Sequence, residues 1–174
     1  HPETILPAVE RDIPVRVLNT FAPDDTGTLI VAKATREHGI CAVTLKKKCL
    51  YVSANGLTSQ QTVDFFRDVA EYSGEFYAAA LGESKCFAVV DAPTDTSILD
   101  RLYQLTPHID VQDITLLCGV GIGLNGELAA RFSEAISPFS PIAVLYGVSD
   151  VGLIALLPTE SAEDALRAVH EIIG

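Results

Sequence analysis

No apolar run in this chain approaches the about 20 residues that a bilayer-spanning helix requires, so no such span is expected. The opening residues, HPETILPAVERD, are polar and punctuated by proline, and no secretory leader is expected from them. Basic side chains are scarce: 12 Lys and Arg stand against 23 Asp and Glu, for a formal net charge of −11. A field of that sign repels phosphate backbones and anionic lipid, so neither nucleic acid nor membrane is an expected partner. The four cysteines, Cys41, Cys49, Cys86 and Cys118, fall singly in apolar runs. They show no C-x-x-C spacing, so a zinc site is not expected, and they read as buried free thiols in a reducing cytoplasm. The four histidines, His1, His38, His108 and His170, are scattered, with no nearby Ser or Cys to activate, and none is a candidate catalyst.

What is present suits a globular core: 48% hydrophobic residues with 20% charged, in a length that fits one domain or two small ones. Alternation over 13–21 and the run at 28–33 read as strands around a turn-rich APDDTG. From there the chain reads as two similar halves. The first has strands at 40–45 and 49–53, then a helix capped by Thr58 or Ser59 with Val63, Phe66 and Ala70 inward. Strands at 75–82 and 85–91 follow, then a helix at 94–105 with Ile98, Leu99, Leu102 and Leu105 inward, and a closing strand at 108–113. The second half has a strand at 114–121, a helix at 126–136 with Asn125 as cap, and strands at 141–149 and 151–158. It ends in a helix at 161–173, where Ser161 and Asp164 approach a capping box. Its missing last strand is assigned to 28–33. The expected fold class is therefore α+β: two ferredoxin-like β-α-β-β-α-β units in tandem, each an antiparallel four-stranded sheet with helices on one face. Lys46-Lys47-Lys48 reads as a solvated strand edge.

The stretch CGVGIGLNG places Gly121, Gly123 and Gly126 as G-x-G-x-x-G, with Asp150 near the end of the next apolar run. A dinucleotide fingerprint needs a parallel β-α-β unit that keeps alternating. The Asp150 strand instead turns straight back into another strand, so a nucleotide-binding enzyme is only a remote alternative. Two readings remain for this loop: glycines that allow close packing, or a second candidate effector loop at Gly121, Gly123, Leu124 and Asn125, with backbone N–H groups facing a carboxylate.

The most specific stretch is residues 1–31. His1-Pro2, Thr4, Pro7-Ala8, Ile13-Pro14-Val15-Arg16-Val17, Asn19-Thr20-Phe21, Pro23 and Gly27-Thr28-Leu29-Ile30 resemble the end of the catalytic domain of aspartate kinases and the passage into their regulatory region. In that family a tandem pair of ACT domains follows, so the resemblance extends over the whole chain. It implies that 1–21 is a remnant of the kinase domain, 22–38 a linker, 39–112 the first ACT domain and 113–174 the second. It implies no catalysis and no cofactor in this stretch, with ATP and Mg belonging to the absent kinase domain. The parent would be a lysine-sensitive-like aspartokinase or a bifunctional one, converting ATP and L-aspartate to 4-phospho-L-aspartate in the cytoplasm. ACT pairs of that family bind an end-product amino acid, lysine or threonine, and form homodimers.

The resemblance places effector contacts at Val52, Ser53, Ala54, Asn55, Gly56 and Leu57, then at Glu75, Phe76 and Tyr77, with Glu83 at the hairpin. One departure stands out: Tyr77 occupies the place of the aspartate that holds the effector's ammonium group. A phenol is a weaker partner for an ammonium than a carboxylate. Glu75, two residues away on the same strand face, is the substitute. The departure supports an alternative, a desensitised ACT tandem that serves dimerisation alone.

Overall fold

The computed structural model describes residues 4–22, 25–33, 39–73, 76–92, 100, 102–104 and 108–173. The chain forms two compact units, residues 1–37 and 38–174. In the first, a short helix α1 (Leu6–Val9) precedes strands β1 (Val15–Val17) and β2 (Thr28–Ile30). These two pair antiparallel, Val15 opposite Ile30. Gly27 has φ +65°, and a side chain there would meet the Val17 carbonyl oxygen at 2.2 Å. Only glycine closes this turn without strain.

The second unit is one six-stranded antiparallel sheet. Its strands are β3 (Gly39–Asn55), β4 (Ala78–Leu81), β5 (Lys85–Asp91), β6 (Ile109–Ile122), β7 (Ala143–Leu145) and β8 (Gly152–Pro158). They lie in the order β4-β5-β3-β6-β8-β7. The strands expected at 40–45 and 49–53 are one long strand, as are those at 108–113 and 114–121. Each half thus has four strands in ferredoxin-like order, and the long pair β3 and β6 is shared. The missing strand of the second half is the first part of β3, where Gly39 to Lys46 pair with Ile122 to Leu116. The assignment of 28–33 to that place is corrected: β2 pairs with β1 and is absent from the six-stranded sheet.

Among the described residues, α2 (Ser59–Ser73), α3 (Gly126–Ile136) and α4 (Ala162–Glu171) cover one face. On α2 the inward residues are Phe65 and Val69, one turn apart, not Val63, which is 60% exposed. They pack on Leu50, Val52 and Ala54 of β3 together with Leu102, which lies in a helical stretch at 102–104. Ile98, Leu99 and Leu105 lie outside the described residues. Phe132 and Ile136 of α3 and Ala165 and Val169 of α4 pack on Leu117, Leu153 and Ala155. Asn125 caps α3, its Oδ1 accepting from the Leu128 N–H at 3.0 Å. Ser161 makes no such cap; its hydroxyl donates to the Phe139 and Pro158 carbonyls instead.

The opposite face is not solvated. Cys49, Tyr51, Ala78 and Val89 of the first half and Ile114, Leu116 and Leu156 of the second are buried in one cluster. The sheet therefore folds over, and its helix-free faces meet. The bend falls where β3 slips register between Lys46 and Cys49 and Lys48 takes φ +60°. An extra residue in one strand bends it and lets it turn the corner between packed sheet halves. Lys46–Lys48 is thus the bulge of a central strand, not an edge. No described helix is long and apolar enough to cross a membrane.

Candidate functional site

At the end of β3 the chain must reverse into α2. Gly56 does this with φ +66°, and its N–H donates to the Ser84 carbonyl at 3.0 Å. Thr58 then starts α2 with a reciprocal cap: its Oγ1 accepts from the Gln61 N–H at 3.3 Å, and its own N–H donates to Gln61 Oε1 at 3.0 Å. The threonine and the glutamine three residues on satisfy two otherwise orphaned donors. Opposite this loop stands the β4–β5 hairpin, tightened by the Gly82 N–H donating to the Lys85 carbonyl at 2.8 Å.

Loop and hairpin flank a small, half-open cleft of about 20 Å³, walled by Ala54, Leu57, Leu81, Glu83, Ser84 and Cys86 among others. Its chemistry is the Glu83 carboxylate, the Lys85 side chain, the Thr62 and Ser84 hydroxyls and the apolar Ala54, Leu57 and Leu81, beside the positive end of a four-turn helix. That combination suits a small zwitterion, with ammonium toward Glu83 and carboxylate toward the helix N-terminus. Ligand pockets usually enclose about 300–1,000 Å³. This cleft has room for little more than one water, so a ligand seated here needs a further wall.

Ala54, Leu57 and Glu83 line the cleft, and Asn55 and Gly56 form the adjoining turn. Val52 turns its side chain into the core under α2. Ser53 points to the other sheet face; it is fully buried, and its hydroxyl has no hydrogen-bond partner among the described residues. Phe76 and Tyr77 lie at the far end of β4, away from the cleft of their own chain. The Phe76 ring sits edge-on to Phe66 at 6.3 Å. Glu75 lies outside the described residues.

The Tyr77 hydroxyl is already engaged, donating to Asp91 Oδ2 at 2.7 Å. Lys46 Nζ is 2.8 Å from Asp91 Oδ1 and 4.9 Å from the centre of the Tyr77 ring. The hydrogen bond to Asp91 pushes the Tyr77 phenol above its usual range, and the Lys46 ammonium followed by the phenol holds Asp91 below the usual carboxylate range. Sequence reasoning missed Lys46. The signal was a break in alternation: Val43 and Leu45 face the helices, then Leu50, Val52 and Ala54 do, so parity changes across the three lysines.

The glycine-rich loop has a packing explanation. A side chain at Gly121 would meet the Gly39 carbonyl oxygen at 2.2 Å, one at Gly119 would meet the Phe132 ring at 3.1 Å, and Gly123 has φ +61°. Leu124 packs on the core beneath α3, and Asn125 is spent on the cap. The Gly121 N–H donates to the Val151 carbonyl at 2.9 Å, the counterpart of Gly56 with Ser84. β6 and β8 run antiparallel, which removes the β-α-β geometry of a dinucleotide site.

Two ferredoxin-like halves that share one antiparallel sheet define a tandem ACT-like module. No protein-family profile matches the chain. Its homologues are aspartokinases. Lysine-sensitive aspartokinase 3 of Escherichia coli is 27% identical over 188 residues, covering 98% of this chain and 41% of the relative. The bifunctional aspartokinase/homoserine dehydrogenase of Haemophilus influenzae is 24% identical over 194 residues, covering 99% of this chain and 24% of the relative. Among solved structures, E. coli aspartokinase III in complex with aspartate and ADP matches with TM-score 0.77 and 25% identity, over 98% of this chain and 42% of that one. The regulatory subunit of aspartate kinase from Thermus flavus has the same fold, TM-score 0.62 at 19% identity, over 78% of this chain and 99% of the subunit. The chain spans less than half the length of the curated relatives it matches.

Proposed function

We propose that this chain is the allosteric regulatory region of an aspartate kinase, binding an end-product amino acid at the cleft between residues 54–57 and 81–86. The observation that carries the reading is this cleft at the N-terminus of α2, in a chain matched over 98% of its length by a lysine-sensitive aspartokinase. An aspartokinase structure in complex with lysine and aspartate shares the fold, with TM-score 0.76. Lysine is the first candidate effector and threonine the second. The small cleft supports a shared site: a second copy, presenting Phe76 and the β4 edge, supplies the missing wall and makes the unit a homodimer. The parent would use ATP and Mg in its kinase domain and phosphorylate L-aspartate; this stretch carries regulation, not chemistry. Effector binding then shifts the kinase between states through a coupling of about 1–3 kcal/mol.

A specific observation favours a second reading. The Tyr77 hydroxyl donates its proton to Asp91, so what it offers an effector's ammonium is a neutral phenol oxygen, a weaker partner than a carboxylate. On that reading the tandem keeps dimerisation alone. Thermal unfolding with lysine, threonine, methionine or NAD at millimolar concentration separates the two. A ligand at about 100 times its dissociation constant adds roughly 2.7 kcal/mol. At this chain length that raises the midpoint by about 5–11 °C. A rise with one amino acid supports feedback control, no rise with any of them supports the dimerisation module, and a rise with NAD alone overturns both.

A further inference from the structure

The corner of the folded sheet is gripped from both sides. Lys46 reaches into the first half, where its ammonium meets Asp91 and the Tyr77 ring. Lys47 reaches into the second half and pairs with Glu163 in the first turn of α4. Between them and Cys49 the strand is bulged, and the Ala92 N–H donates to the Lys48 carbonyl at 2.7 Å. Tyr77 and Asp91 are not arbitrary partners. They stand at one end of the β4–β5 hairpin, and the other end, Leu81 to Cys86, walls the cleft. A continuous antiparallel ladder from Ala78–Val89 to Leu81–Cys86 joins the two ends.

We propose that the β4–β5 hairpin is a lever and Lys46 its latch, passing occupancy of the cleft through the Lys46–Lys47 bulge to the first turn of α4. The proposal rests on the effector reading of the cleft. Its physical content is a rigid ladder whose β5 strand is paired to β3 as far as Cys49–Asp91, and whose far end is tied beyond the bulge by a solvent-accessible ion pair and a ring contact with Lys46. Such contacts are weak enough to rearrange on binding and directional enough to transmit it.

The test is native-state hydrogen exchange on this chain as wild type, Lys46→Met, Asp91→Asn and Lys46→Arg, with and without millimolar lysine or threonine. Without ligand, amides of 78–81 and 86–91 should exchange about two- to fivefold faster in Lys46→Met and in Asp91→Asn. Those of 153–157 should be unchanged, and Lys46→Arg should resemble wild type. With ligand, wild type should gain protection at 81–86 and also at 162–165. Lys46→Met should keep the first gain and lose the second. An unchanged hairpin, a uniform rise across all amides, or retained protection of 162–165 in Lys46→Met overturns the latch. If no amino acid protects wild type, the effector reading fails, and the ligand-free comparison still decides whether Lys46 holds the hairpin.

Discussion

Replacing Gly121 with alanine separates packing from ligand binding in the GIGLNG loop. The new methyl carbon would lie 2.2 Å from the Gly39 carbonyl oxygen and 2.8 Å from Leu124 Cδ2. The leucine can change rotamer, but the carbonyl belongs to β3 and cannot move without disturbing the β3–β6 ladder. Overpacking of this kind costs about 1–3 kcal/mol, and a backbone obstacle puts this site near the upper end, about 2–3 kcal/mol. The midpoint should fall by about 4–12 °C, and the urea midpoint should fall with an unchanged slope. Gly126→Ala is the internal control. It opens α3, nothing lies within 4 Å of a side chain there, and its backbone is not left-handed. Removing unfolded-state freedom at that position should stabilise by about 0.4–1 kcal/mol. Opposite signs at two glycines of one apparent fingerprint are what packing requires. If Gly121→Ala unfolds at the wild-type temperature, the close approach to Gly39 is not a constraint and the reasoning fails.

Two further outcomes follow from the same geometry. Thr58→Ala removes one arm of the reciprocal cap with Gln61 and should cost about 0.5–2 kcal/mol by urea titration. Asp91 has a folded-state pKa below its unfolded value, so its contribution is present above about pH 4 and is lost as pH falls through the lower folded value. The difference in urea midpoint between wild type and Asp91→Asn should therefore be flat near neutrality and vanish in acid; a difference that grows on acidification would reverse the assigned sign.

Much of the architecture was legible because it rests on local chemistry. Asn125 announces α3 as a side-chain acceptor placed three residues before the Leu128 N–H, and the Thr58–Gln61 pair announces α2 in the same way. Alternation located most strands, and the hairpin at 81–85 was plain from its glycine turn. The inward face of α2 was misjudged at Val63: Phe66 does pack against the core, but Val63, which keeps helical spacing with it, is exposed beside the buried stripe of Phe65 and Val69. Spacing alone does not say which of two adjacent stripes meets the sheet. Ser161 satisfies the composition of a cap, yet tertiary neighbours Phe139 and Pro158 take its hydroxyl.

By itself the sequence determined the elements: which runs are strands, where helices start, and that the pattern occurs twice. Capping, periodicity and turn chemistry act within a few residues and need no distant partner. Only the tertiary structure decided which strand completes the second half, because any free strand satisfies an edge and only register and connection choose 39–46 over 28–33. Only it showed that one bulge folds the sheet onto its helix-free face. Only it took Tyr77 out of the cleft of its own chain and gave it to Lys46 and Asp91, residues far apart in sequence that the folded sheet brings within hydrogen-bonding distance.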